Sequence, residues 1–246
     1  MKFGSITTGI IADGLVFNMD AANRASTIPK SNVTVVKDTV NNITGTVNNE
    51  YDIWEGPTTA SFALDGNDDY IDFESFSGVT GLYALTVSIW FKSSIYPNSG
   101  ARLIEGNQFV IYQPNGSASN MKGRFYYIAK SEPHGNPFFT LGGTLASGVG
   151  DLVDGDWHNL CFTYNASNTT AIIYEDSVAV ITKTDVTAPN GTFQLRNTTG
   201  DLVVGARQNF SNEIIGNVGP LQIYNRALSS NEVLHNYNAL KSRFGL

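Results

Sequence analysis

Ser61-Phe62-Ala63-Leu64-Asp65-Gly66-Asn67-Asp68-Asp69-Tyr70-Ile71-Asp72-Phe73 sets two short apolar runs on either side of an acidic turn. Phe62 and Leu64 alternate with Ala63, and Tyr70, Ile71 and Phe73 resume an extended run. Between them, residues 65–69 are the Asp, Gly and Asn types that tolerate left-handed backbone angles. The stretch reads as strand, turn, strand, and predicts a β-hairpin. The rest of the chain repeats that pattern.

Residues 85–92 show the cleanest alternation: Leu85, Val87, Ile89 and Phe91 face one way, with Thr86, Ser88, Trp90 and Lys92 the other. The first set lines a core. Trp90, on the opposite face, requires a second cover or a ligand. Upstream, Leu15, Phe17 and Met19 share a face with period two, and short β-type runs follow at 33–36 and 43–47. Downstream, strands are predicted at 102–104, 109–112, 124–128, 138–141, 171–174, 178–181, 193–195, 202–205 and 221–224. After Asp156-Trp157, His158, Leu160, Phe162 and Tyr164 share a face. More than a dozen short strands exceed a seven-stranded immunoglobulin domain and suit a larger two-sheet jelly roll. One helix is predicted at about 229–240. Ser229 and Glu232 form a capping box, Leu228 and Val233 its hydrophobic staple, and Val233, Leu234, Tyr237 and Leu240 recur on one face.

All-β sandwiches of 246 residues are often one domain and no linker interrupts this chain, so a single domain over 1–246 is expected. With 41% hydrophobic and 15% charged residues there is ample material for a core. The net charge of −7, with Lys and Arg scattered singly, leaves no basic stripe for phosphates and excludes nucleic acid as a partner. The one cysteine, Cys161, lies in an apolar run and reads as a small buried hydrophobe. The first residues carry no sustained apolar stretch and no run approaches the roughly 20 residues of a membrane helix. A soluble chain without membrane insertion is therefore expected.

Four segments together resemble the laminin-G-like, concanavalin A-like lectin/glucanase jelly-roll superfamily. They are Phe62 to Ile71, Leu85 to Lys92, Asp156-Trp157-His158 with Phe162-Thr163-Tyr164, and Ile223-Tyr224-Asn225-Arg226-Ala227-Leu228-Ser229. The resemblance implies an all-β concanavalin A-like sandwich with one short C-terminal helix. Where the family's closing strand usually carries an Asp-Glu pair, Gly219-Pro220 stands instead. Gly14 to Ala21 and Asn236 to Gly245 are similar to standalone versions of the domain in tailed-bacteriophage virion proteins. That implies a non-enzymatic particle component, such as a capsid decoration or a fibre or tail appendage, at the virion surface. Other virion proteins, glycans and further copies of the chain are then the expected partners.

Lectin sites stack sugars on aromatic faces, and Trp90, Tyr126 and Tyr127 are the candidates because alternation exposes one side of their strands. Asp65, Asn67 and Asp69 have calcium-loop spacing. Tyr70 stands where an EF-hand needs Gly, and Phe76 where it needs a bidentate Glu, so turn formation without metal is the favoured reading. Glu50-Tyr51-Asp52-Ile53-Trp54-Glu55 resembles the Glu-x-Asp-x-x-Glu signature of retaining glucanases, which need two carboxyls about 5 Å apart. On a regular strand Glu50 and Asp52 share a face and Glu55 does not. A polar edge strand is the favoured reading there too, and no catalytic residue is expected. His134, His158 and His235 show no zinc spacing, and His158 reads as a hydrogen-bonded structural residue. A free carbohydrate-binding module is the second reading of the whole chain.

Overall fold

Period-two apolar patterning builds a two-layer sandwich closed by one helix. The computed structural model describes residues 9–27, 31–52, 59–95, 99–112, 122–126, 138–141, 152–184, 194–195 and 199–246; for 31–32, 50–52, 122–126 and 138–141 it describes the backbone alone. The strands are β1 (Leu15–Met19), β2 (Ser31–Lys37), β3 (Thr44–Asp52), β4 (Phe62–Asp65) and β5 (Tyr70–Phe76). Next come β6 (Ala84–Lys92), β7 (Arg102–Glu105), β8 (Phe109–Tyr112), β9 (Lys122–Tyr126) and β10 (Phe138–Leu141). The last five are β11 (Trp157–Asn165), β12 (Thr170–Glu175), β13 (Val178–Lys183), β14 (Gly200–Val204) and β15 (Ile215–Tyr224). Helix α1 (Ser230–Leu240) and a 3₁₀ turn (Lys241–Phe244) follow. Of the expected strand at 193–195, only Leu195 makes an isolated ladder pair, and 193 lies outside the described residues.

A seven-stranded antiparallel sheet runs β1-β15-β6-β11-β12-β13, with β4 also on β15, and an eight-stranded one runs β10-β9-β8-β7-β14-β5-β3-β2. The predicted hairpin at 61–73 is therefore a corner between sheets. β4 pairs with β15, Phe62 opposite Val218 and Asp65 opposite Ile215, whereas β5 pairs with β14 and β3. The acidic turn carries the chain from one layer to the other, with Gly66 at φ +78 where a Cβ would lie 3.0 Å from Ile215 Cβ.

The core between the layers gathers Leu85, Val87, Ile89 and Phe91 of β6 with Ile71 and Phe73 of β5, all no more than 1% exposed. Phe17 meets Phe73 and Phe76 edge-on at 4.9 and 5.6 Å. The outer face of β6 is buried as well, beneath the C-terminal segment. Gly219-Pro220 sits in β15 at a bulge between Val218 and Leu221, where a residue without an N–H is tolerated. A Cβ at Gly219 would lie 2.9 Å from Trp90 Cβ and 3.3 Å from both Phe244 and Trp157. The missing Asp-Glu pair is thus replaced by room for aromatic packing.

Helix α1 starts as expected: Ser229 caps it, accepting from Glu232 N, while the Glu232 carboxylate accepts from Ser229 N at 2.8 Å. Its buried residues are Val233, Asn236 and Leu240. Leu234 is 45% exposed, so the buried stripe is rotated from the one predicted. Asn236 takes the inward place because it is satisfied there, donating to Tyr224 Oη at 2.9 Å and accepting from Ile11 N at 2.8 Å.

Candidate functional site

Trp90 stands on the outer face of β6, as its alternation requires, but it is fully buried. Tyr237 stacks on it at 5.5 Å and Phe244 at 4.4 Å, and Trp157 tilts against Phe244 at 4.6 Å. The cover it needed is the C-terminal segment, so Trp90 offers no face to a ligand. Tyr126 ends β9 opposite Phe138, with its side chain outside the described residues, and Tyr127 lies outside them altogether. Glu50 and Asp52 fall on β3 with their side chains likewise outside, as is Glu55.

Backbone donors engage the acidic turn. Asp65 Oδ1 accepts from Asn67 N at 2.8 Å and Asp69 Oδ2 from Asp65 N at 2.7 Å. Asn49 donates to Asp68 Oδ1 at 2.8 Å. Asp65, Asp68 and Asp69 each bring one oxygen within 4.8 Å of the others, a carboxylate grouping that has Asp68 where the expected set of Asp65, Asn67 and Asp69 had Asn67. Burial raises Asp69 to about 6, and the Asp65 and Asp68 charges raise it too, against the lowering from Asp65 N–H.

A different aromatic pair is presented to solvent. Alternation along β5 turns Ile71 and Phe73 into the core and Tyr70, Asp72 and Glu74 outward. The segment between β14 and β15 returns over this outer face. Gln208 Nε2 donates to Asp201 O at 2.6 Å and to Asn107 Oδ1 at 3.1 Å. Phe210 N donates to Arg207 O and Arg207 N to Ser211 O, at 2.7 and 2.9 Å. This tight loop holds Phe210 at φ +56, a region a bulky side chain rarely occupies. Its ring lies parallel to Tyr70, centroids 4.5 Å apart and planes at 10°, and is 42% exposed.

Carboxylates surround the pair. Burial raises the Tyr70 hydroxyl, and the charges of Asp72, Asp68 and Glu213 push it in the same direction. Asp72 is raised to about 6, first by burial and then by the Asp201 and Glu74 charges. Its Oδ1 is buried without a hydrogen-bond partner. An exposed ring backed by a second ring, with oxygen acceptors beside it, can hold the C–H face of a sugar and accept from its hydroxyls. Sequence reasoning missed this pair because Phe210 belongs to no strand. The available signal was a lone aromatic inside Gln208-Asn209-Phe210-Ser211-Asn212, where polar neighbours leave a ring no core to enter.

His158 is hydrogen-bonded, as expected of a structural histidine. Its Nδ1 lies 2.9 Å from Asp176 Oδ2 and its Nε2 3.2 Å from Asp154 Oδ1. The bond to Asp176 chiefly raises it, to about 9, against the effect of burial. Cys161 is buried, which pushes its thiol up to about 12, away from reactivity. Among the described residues no helix is long and apolar enough to cross a membrane.

A family model described as the concanavalin A-like lectin/glucanases superfamily matches residues 65–234. No curated protein sequence matches the chain. Among solved structures, the binding domain of Paraclostridial Mosquitocidal Protein 1 is similar at 16% identity over 92% of this chain and 52% of that one, with a TM-score of 0.67. The receptor binding domain of botulinum neurotoxin C/D mosaic serotype gives 15% identity, 93% and 52% coverage, and 0.65. The ligand binding domain of botulinum neurotoxin serotype D, solved in complex with N-acetylneuraminic acid, gives 14%, 96% and 52%, and 0.66. The chain spans about half the length of these solved domains, and the likeness is one of fold.

Proposed function

We propose that this chain, which belongs to the concanavalin A-like lectin/glucanases superfamily, is a non-enzymatic glycan-recognition module that holds its sugar against the Tyr70–Phe210 ring pair. The observation that carries this reading is the exposed Phe210 ring, held in a strained backbone conformation and stacked on Tyr70. A hydrophobic ring kept in water at a conformational cost of about 1–3 kcal/mol is explained by a partner that covers it. A similar fold in complex with N-acetylneuraminic acid supports glycans as the ligand class. Here Asp68, Asp72 and Glu213 act on Tyr70, and Asp201 and Glu74 on Asp72. Such a field repels an anionic sugar and favours an uncharged one.

Glycan-array binding by the full chain, then titration of the strongest hit, tests the reading. Phe210→Ala lowers affinity by roughly tenfold, the equivalent of about 1.4 kcal/mol of lost stacking. Failure of the wild type to bind any neutral glycan, or undiminished binding by Phe210→Ala, would overturn it. Polysaccharide incubated with the chain stays intact; release of reducing ends that disappears in Glu50→Gln would establish a glucanase instead.

We further propose that the module is carried on a tailed-phage particle, as a decoration or appendage in contact with other virion proteins. Support comes from the two segments with phage-like sequence, which meet in the fold. Asp20 of the first segment pairs with Arg243 of the second, Nη1 to Oδ2 at 2.7 Å. Mass spectrometry of purified particles finds the chain in fixed stoichiometry to a coat or tail protein. Its absence from particles whose host cells contain it sinks this assignment.

A further inference from the structure

The core-facing side of β11 ends in a polar cluster that glycan recognition does not use. His158 continues the Leu160, Phe162 and Tyr164 face of the strand to its beginning. Asp154 precedes β11, Glu175 ends β12, and Asp176 begins the tight turn into β13, with Asp176 and Ser177 at φ 48 and 70. Glu175 lies opposite Leu160 in the ladder, which brings it beside His158. His158 Nδ1 is 2.9 Å from Asp176 Oδ2 and 4.0 Å from Glu175 Oε1, while Nε2 is 3.2 Å from Asp154 Oδ1.

The hydrogen bonds of this cluster do not close. An imidazole ring has two nitrogens, and both are committed, one to each aspartate. Asp176 Oδ1 is also satisfied, accepting from Asn159 N at 2.8 Å. Glu175 is left over: its side chain is only 9% exposed, and its buried Oε2 has no hydrogen-bond partner. A buried carboxylate oxygen with no donor is costly, and nearby water or a cation relieves it. Three carboxylates around one imidazole leave excess negative charge where a cation is favoured.

We propose that His158 Nδ1, Glu175 and Asp176 form a binding site for a divalent transition-metal ion of the Zn²⁺ class. One oxygen or nitrogen from each of the three lies within 4.8 Å of the others. Zinc bonds of about 2.0–2.2 Å place tetrahedral neighbours roughly 3.4 Å apart. Nδ1 and Asp176 Oδ2 therefore separate by about half an ångström, and Glu175 moves closer to them. Asp154 keeps its bond to Nε2–H and acts as the carboxylate that orients a metal-bound histidine and raises its basicity. Three protein ligands leave a fourth position for water. One imidazole nitrogen with two carboxylates suits Zn²⁺ better than Ca²⁺, which takes six to eight oxygens.

Titration calorimetry of the metal-stripped full chain with Zn²⁺ alone, and with Ca²⁺ alone, tests the site. One Zn²⁺ binds per chain and raises the melting temperature, and Ca²⁺ produces neither effect. Glu175→Gln abolishes the zinc response, and Asp154→Asn weakens it by roughly 10–100-fold. Should His158→Gln or Glu175→Gln fail to fold, Co²⁺ added to the wild-type chain gives the intense visible absorption of a four-coordinate site, and Zn²⁺ displaces it. Zinc binding undiminished in Glu175→Gln, no zinc heat with the wild type, a preference for Ca²⁺, or no visible Co²⁺ band each overturns the assignment.

Discussion

Asp72 places a carboxylate beside the aromatic pair at a cost to stability. Burial, then Asp201 and Glu74, raise it to about 6, above the ordinary carboxylate value near 4. The folded chain therefore holds this proton more tightly than the unfolded chain does. The resulting stability is fully present below about pH 4 and is lost as pH rises through about 6. Asp72→Asn cannot ionise, so it melts higher than the wild type at pH 7–8, and the difference shrinks toward pH 4. Thermal melts of both proteins across that range check it; curves that stay parallel would mean that Asp72 is not held up. Selection for stability alone would favour the amide here, so a carboxylate beside an exposed ring pair fits a role in accepting sugar hydroxyls. No sequence pattern marks Asp72 as special, because its shift comes first from burial in the fold and then from Asp201, 129 positions away in the chain. Trp90 shows the reverse case: its position on the wrong face of β6 was legible, but the identity of its cover, Tyr237 and Phe244, required the fold.

At the scale of elements, local chemistry was read more reliably than pairing. The Ser229–Glu232 capping box begins α1 where residue types three positions apart in the chain required it. Its electrostatics extend further than the motif does: Arg226 Nη1 and Nη2 grip Glu232 at 3.0 and 2.7 Å. That grip first, then the Ser229 N–H, lowers Glu232 to about 2. A carboxylate lowered in the folded state stabilises above its ordinary value near 4.3 and loses that contribution as pH falls toward 2. Glu232→Gln is therefore less stable than the wild type at pH 6, by about 1 kcal/mol as for other lost caps, and the gap in urea midpoints closes toward pH 2. The acidic turn at 65–69 was equally legible as a turn, yet the strands around it join different sheets. β4 finds its partner in Ile215–Val218, some 150 residues on, and nothing in a local run encodes that distance. Phe210 was missed for a related reason: it lies in a connection, and only the return of that connection over β5 brings it to Tyr70.

Across the whole molecule, apolar alternation specified two layers, and the C-terminal segment completes them by sealing the outer face of β6 and β11. Trp90, Trp157, Leu240 and Phe244 form one buried cluster there, and Cys161, Tyr174, Tyr224, Leu228 and Val233 another. A buried ion pair joins the Ile11–Asn236 and His235–Gly9 bonds in fixing this segment to the N-terminal residues. Arg243 Nη1 and Nη2 donate to Asp20 at 2.7 and 2.9 Å, with side chains 8% and 2% exposed, and Asp20 Oδ1 also accepts from Ala22 N. A pair this dry contributes little over a neutral replacement, but removing one partner leaves a charge where water cannot reach it. Arg243→Met thus costs roughly 3–5 kcal/mol in urea unfolding, because the Asp20 carboxylate stays buried without its cation. Adding Asp20→Asn recovers most of that loss, since the amide oxygen still serves Ala22 N and no charge remains. A double variant no more stable than Arg243→Met would place the cost in lost packing of the arginine stem on Phe244, 5.4 Å from the guanidinium, and not in the stranded charge.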